Sequence, residues 1–341
     1  MTSEFISEPF ITSPTTKKVF SLFDSLREKK SRFDVASCGL ITGESGSGKS
    51  QLAKRYFQKN QPLEEENRRR IPVFHYELKE ASTIKNVLRG ALRNLIIAGG
   101  NEDSHELYER LVNSRSTEDE ILWSFTQLLK STGVELIILD EIQVILQRRN
   151  LKVVSGLADT FKDLIKDTQI PIVFMGMPWS RYLVESNAQL NGRIDYRIEI
   201  EPFRVSKKLY RNEYRMLLRT LASRYKFPES VQLHKFDFLL KIFSHTEGNL
   251  RETAGLVRDV YLDALMCQTK IDYKSFPQLL SQRGVKDDQN PFLKELKNID
   301  LREMIEHTDY RLGQTGNKKS IVDAKYATYC VDKNNEIRLV A

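Results

Sequence analysis

The 341 residues are 40% hydrophobic and 29% charged, an ordinary soluble globular composition with enough chain for two or three domains and a large core. No run of 18 apolar residues exists, which excludes a spanning helix, and the N-terminus MTSEFISEPF lacks the basic-then-apolar pattern of a secretion signal. Three scattered cysteines (Cys38, Cys267, Cys330) do not read as a disulfide framework or zinc site and point to a reducing cytoplasm, while the net charge of +7 favours a polyanionic partner.

Residues 1–34 read as an N-terminal extension. Residues 35–42, VASCGLIT, form a short apolar run of the kind a buried strand makes, and GESGSGKS follows at Gly43 to Ser50. This stretch fits G-x-x-x-x-G-K-[ST] at Gly43, Gly48, Lys49 and Ser50. The next residues, KSQLAKRYFQK, place Leu52, Ala53, Tyr56 and Phe57 at helical spacing. Strand, loop and helix in that order are the context of a phosphate loop rather than of a flexible linker. Its glycines let the backbone N–H groups of Gly43, Glu44, Ser45, Gly46, Ser47 and Gly48 turn inward on phosphate oxygens. The helix N-terminus adds positive potential. Lys49 is placed to bond the β- and γ-phosphates and Ser50 to ligate Mg²⁺, so ATP and Mg²⁺ are the expected cofactors.

A charged segment, NQPLEEENRRRIP, reads as a surface loop before a second strand at 71–78. STIKNVLRGALRNLIIAGG then gives a clear helix. Ile84, Val87, Leu88, Ala91, Leu92, Leu95 and Ile96 make its apolar face, Ser82 is a candidate cap, and Gly99 and Gly100 stop it. TEDEILWSFTQLLKSTG opens with a capping box from Thr117 to Glu120. The strand at 134–140 ends in Asp140 and Glu141. There an aspartate can hold the Mg²⁺ water shell, and a glutamate can orient or deprotonate the attacking water. Further strands are expected at 170–176 and 194–200, with a helix at 180–190 between them. After Pro202 the strand signals stop: residues 203–283 read as a small helical lid, and 284–341 as a more polar C-terminal extension with a flexible GQTGNKKS. The expected fold class is therefore α/β, a five-stranded parallel sheet flanked by helices, followed by that lid.

The α/β core, helical lid, Walker-type motifs and a late arginine together resemble AAA+ P-loop ATPases. The resemblance sharpens between 134 and 203, where LIILDEIQVILQRR, IPIVFMGMPWS and NAQLNGRIDYRIEIEPF look like the TniB/TnsC family of transposition regulators, MuB-like target-selection ATPases. The matching elements are Asp140-Glu141, Gly176-Met177-Pro178, Gln189-Leu190 with Arg193, and Pro202-Phe203. The resemblance covers roughly residues 5 to 265. It implies a cytoplasmic ATPase that binds duplex DNA, assembles as a ring or filament of like subunits, marks a target and recruits a transposase together with a target-recognition protein. In the family, Arg193 would act as an arginine finger on a neighbour's γ-phosphate, with Arg197 as the nearby alternative. Arg251, at the start of a lid helix, matches a sensor arginine facing the nucleotide.

Two positions depart from the family pattern. Gln143 stands where the family commonly has histidine, and Met177 where a polar sensor of the γ-phosphate is expected. Methionine cannot bond a phosphate well, so slow hydrolysis is expected.

Non-specific phosphate contacts are expected from Lys85 first, then Lys79 and Arg89, on or beside the 82–98 helix; a merely solvated helix face accounts for them equally well. Segment 204–226 holds eight Lys/Arg against Glu213 alone, with Lys207, Arg211, Arg215 and Arg219 on one helix face. That face suits DNA, an acidic partner or solvent. Trp123 and Trp179 read as core or interface residues. Segment 284–341 is a candidate docking segment for a transposase or endonuclease. Two other functions share the same core: a replication initiator or loader ATPase, and a signalling ATPase that oligomerises without DNA.

Overall fold

The computed structural model describes residues 14–66, 68–79, 83–99, 108–109, 116–147, 151–312 and 319–340. The core sheet has five parallel strands: β1 (Cys38–Gly43), β4 (Val73–Glu77), β5 (Leu136–Asp140), β6 (Ile172–Gly176) and β7 (Ile194–Ile200). Their order is β4-β5-β6-β1-β7. All five strands expected from sequence are present, within three residues at each end. Strands covered on both faces read as continuous apolar runs, and alternate residues go to opposite sides. Ile137, Leu139, Ile172 and Phe174 join one core cluster, while Leu136, Ile138, Val173 and Met175 join another.

Helices cover both faces. One layer is α1 (Pro14–Phe33) and α2 (Lys49–Lys59). The other contains α3 (Ile84–Ala98), α4 (Glu118–Ser131), α5 (Gln143–Gln147) and α6 (Leu151–Thr168), followed by the short α7 (Arg181–Glu185) and α8 (Ala188–Asn191). Residues 14–33 are thus more than an extension: Val19, Leu22, Phe23 and Leu26 recur at helical spacing and are buried against the sheet. Arg27 ties α1 down through Glu135, with Nε–Oε2 2.9 Å and Nη2–Oε2 2.6 Å. The expected cap at Ser82 and stop at Gly100 lie outside the described residues; the cap of α3 is Thr83, whose side chain accepts the Asn86 N–H. The capping box at Thr117 and Glu120 is present. The charged segment expected as a loop forms a short hairpin, β2 (Leu63–Glu65) and β3 (Arg68–Arg70), which sets Glu64 opposite Arg69.

Residues after Pro202 build a second core. Helices α9 (Lys208–Arg224), α10 (Phe236–Thr246), α11 (Leu250–Met266) and α12 (Ser275–Gln282) close around Tyr214, Leu218, Phe243 and Phe276. The fully buried Tyr214 hydroxyl is matched by Thr246 and Thr253, each at 3.1 Å.

The expectation that strands stop after Pro202 is overturned. Among the described residues five short strands follow: β8 (Leu301–Glu306), β9 (Asp309–Leu312), β10 (Lys319–Val322), β11 (Lys325–Val331) and β12 (Ile337–Leu339). β12, β11 and β8 form an antiparallel sheet, and β9 pairs with β10. Only Leu301, Met304 and Val331 of β8 and β11 are both apolar and buried, so the period-two signal is diluted by Lys, Thr and Tyr. Leu301 and Val331 join the lid core. Most of GQTGNKKS lies outside the described residues. Among the described residues no helix is long and apolar enough to cross a membrane.

Candidate nucleotide site

The phosphate loop leaves β1 at Gly43 and enters α2 at Lys49. Gly46 and Gly48 take φ of +78° and +93°, a region that side chains rarely adopt. A Cβ on Gly46 would stand 2.4 Å from Asn249 Oδ1, so the lid itself demands glycine there. Lys49 is 5% exposed and its Nζ donates to Gly43 O at 2.7 Å, Glu44 O at 2.9 Å and Ser47 Oγ at 3.2 Å. Burial lowers its pKa, partly offset by Asp140, Glu141 and Glu44.

Asp140 ends β5, fully buried. Its Oδ1 accepts the Glu141 N–H at 2.9 Å, while Oδ2 forms no hydrogen bond and lies 3.9 Å from His75 Nε2 on β4. Burial opposes the charge, yet His75, the Ser50 hydroxyl and the Glu141 N–H together hold this carboxyl below the usual range. A buried, ionised oxygen without a donor beside a serine hydroxyl is a fitting donor pair for a hard divalent cation. The glycine cradle and the buried lysine fit a polyphosphate equally well.

Glu141, just past the end of β5, adopts φ +60°, a left-handed conformation uncommon for a side-chain-bearing residue. Gln143, buried on α5, donates from Nε2 to Glu141 Oε2 at 2.5 Å and accepts the Met177 N–H on Oε1 at 3.1 Å. The residue that departs from the family pattern therefore connects the glutamate to the end of β6.

The lid closes the other side. Asn249 caps α11 and donates to Ser45 O at 2.8 Å, the Arg251 N–H donates to Gly46 O at 3.1 Å, and Arg251 Nη1 reaches Ser45 Oγ at 3.4 Å. The resulting cleft of about 900 Å³ is lined by the whole loop together with Glu141, Gln143, Met177, Pro202-Phe203 and Arg251.

A family model described as bacterial TniB protein matches residues 3–204. The chain belongs to the TniB family. Its fold is that of AAA+ P-loop ATPases, and solved structures share it. The Orc1 protein of Aeropyrum pernix, in complex with DNA, is 14% identical with a TM-score of 0.55, over 84% of this chain and 69% of that one. Cdc6p of Pyrobaculum aerophilum is 12% identical with a TM-score of 0.54, over 83% and 71%. The Orc2 protein of Aeropyrum pernix, with ADPNP and ADP, is 12% identical with a TM-score of 0.56, over 82% and 70%. No curated protein matches the sequence.

Within this TniB fold the remaining expected residues fall in separate places. Arg193 precedes β7 at the end of the sheet opposite the phosphate loop; it is half-buried, and among the described residues no hydrogen bond or ion pair holds its guanidinium. Arg197 is exposed and tied to Asn191 at 2.5 Å. Lys79 is exposed just after the edge strand β4, and Lys85 and Arg89 are half-buried on α3. On α9, Arg211 lies over the Phe236 ring and Arg215 bonds His234 O at 3.3 Å, while Arg219 is exposed. Trp179 is buried, but Trp123 is 64% exposed and so is not a core residue. Sequence reasoning missed Asn249, His75 and the bridging role of Gln143. Only the asparagine before a helical pattern, in EGNLRE, carried a local signal.

Proposed function

We propose that this protein is an ATP-dependent regulator of DNA transposition that assembles on target DNA and recruits or activates a transposase. The observation that carries the reading is the convergence of Lys49, Ser50 and Asp140 at one lidded loop in a TniB family chain. Bound ATP with Mg²⁺ would supply a γ-phosphoryl group open to attack by water. Lys49 would hold the β- and γ-phosphates, Ser50 and Asp140 the metal, and the N–H groups of the loop the remaining oxygens. Glu141 orients or deprotonates the water. Arg251 stabilises charge from the lid. Arg193 does so across a subunit contact, since it cannot reach its own loop. Met177 contributes only its backbone near the sensor position, which supports slow hydrolysis suited to an assembly that must persist.

Support for DNA comes from the basic balance, from Lys79, Lys85 and Arg89, and from a fold shared with an Orc1 protein solved in complex with DNA. The same likeness favours an initiator-type ATPase as the second reading. The described part of residues 284–340 carries strands and short 3₁₀ turns.

The test is sizing on duplex DNA with ATP, a non-hydrolysable analogue and ADP, for wild type and Lys49→Ala. ATP-dependent oligomers on DNA that Lys49→Ala loses are the expected result. Nucleotide binding without DNA binding in any state would sink the reading and leave a protein-only switch.

A further inference from the structure

Glu44, the second residue of the phosphate loop, is 8% exposed although it is a carboxylate. Its partners come from the far end of the chain. The Thr308 N–H donates to Oε1 at 2.8 Å, the Thr308 hydroxyl to Oε2 at 3.1 Å, and His307 Nδ1 lies 3.4 Å from Oε1. On its other side His307 Nε2 stands 3.1 Å from Glu199 of β7. The backbone of Glu44 is equally engaged, since its carbonyl accepts Lys49 Nζ. One residue thus carries the phosphate-binding lysine on its main chain and the C-terminal sheet on its side chain.

The strand that delivers His307 and Thr308 is itself anchored. Glu303 of β8 accepts the N–H groups of Val205 and Ser206, each at 2.6 Å, and the Ser206 hydroxyl at 2.7 Å. These residues form the connection from core to lid. Arg302 pairs with Glu247 of the lid at 2.7 Å, and Asp309 with Arg181 of the core at 2.8 Å. Residues 302–309 therefore run from the lid, across its connection, to the phosphate loop.

We infer that His307 and Thr308 are positioning residues for nucleotide binding, holding the phosphate loop through Glu44 so that the C-terminal sheet and the nucleotide share one structural element. A buried carboxylate stripped of its donors is costly, so without them Glu44 turns to solvent and takes its backbone with it. The nucleotide must then order the loop as it binds, which weakens binding without changing the groups that act on water. By reciprocity, nucleotide steadies residues 301–309, and a partner seated on the sheet alters nucleotide affinity by the same factor.

The inference rests on the nucleotide reading above, so wild type and Lys49→Ala are measured beside the variants. Titration calorimetry with Mg²⁺-ADP is expected to show Kd weakened about 5- to 20-fold in His307→Ala/Thr308→Val. KM for ATP should rise by a similar factor, with kcat within about twofold. His307→Gln, which keeps a donor, should recover part of the loss. Arg338→Ala, which removes exposed ion pairs to Asp332 and Glu336 at the far end of the same sheet, should bind as wild type. Wild-type Kd and KM in the double variant, with binding lost in Lys49→Ala, would overturn the inference alone. Undiminished binding in Lys49→Ala would instead remove the nucleotide reading. Should the double variant fail to fold, amide exchange on wild type decides: residues 301–309 slow on adding Mg²⁺-ADP, and unchanged exchange there refutes the link.

Discussion

Arg193 and Lys49 stand at opposite ends of the same strand pair. Arg193 O accepts the Cys38 N–H at 2.8 Å where β1 begins, and Lys49 opens the helix after β1 ends. The five steps from Cys38 to Gly43 separate the two ends by about 17 Å. An arginine so placed cannot reach its own nucleotide, so the proposed finger role requires a neighbour's. Arg193→Ala is expected to bind ATP normally and lose on the order of 10³ in kcat. Mixing it with Lys49→Ala should restore part of the activity, because intact pairs form between the two. No restoration in the mixture would remove the finger role and turn attention to Arg197.

Gln143 holds Glu141 by one hydrogen bond and Met177 by another. Gln143→Ala frees the glutamate to adopt unproductive orientations. Steady-state hydrolysis should fall about 10-fold in kcat with KM within about twofold. An unchanged kcat would mean that the amide merely packs against the end of β6.

The site has a pH signature. Glu44 raises the His307 pKa, against the opposing effect of burial, and Glu199 and Glu201 add to it. Tyr326 of β11 also faces the group around Glu44. A raised folded pKa means that the protonated ring stabilises the fold. That contribution is complete below the unfolded value of about 6.5 and is lost as pH rises through the folded value. Unfolding midpoints of wild type and His307→Gln should differ most near pH 6 and converge toward about pH 9. A gap independent of pH would assign the effect to packing.

DNA affinity should be salt-dependent and indifferent to sequence. Lys79→Ala and Lys85→Ala should each lower the slope of log affinity against log salt by about 0.9, equally on unrelated duplexes. Filter binding across a salt series checks this. A full slope in both variants would move the contacts to α9, where Arg219→Ala is the next substitution.

The phosphate loop, the five core strands and Asp140-Glu141 were legible because each is local. A buried parallel strand is a short continuous apolar run, and the loop signature is contiguous with the helix that completes it. The strands from Leu301 to Leu339 were not legible. Few of the apolar residues of β8 and β11 are buried, so neither strand reads as a core strand, and their fit is decided by the lid they cover. The burial of α1 was hidden for a related reason: its stripe at Val19, Leu22, Phe23 and Leu26 is plain, but only the sheet says what covers it.

By itself, then, the sequence determined the nucleotide-binding chemistry and the three-layer α/β core, since both are set by residues a few positions apart. Tertiary structure alone decided which groups tune that chemistry. Thr308 meets Glu44 across 264 positions, and Asn249 meets Ser45 across 204. No periodicity encodes such pairs, because hydrogen bonds between distant segments depend on where the folded elements come to rest rather than on neighbours along the chain.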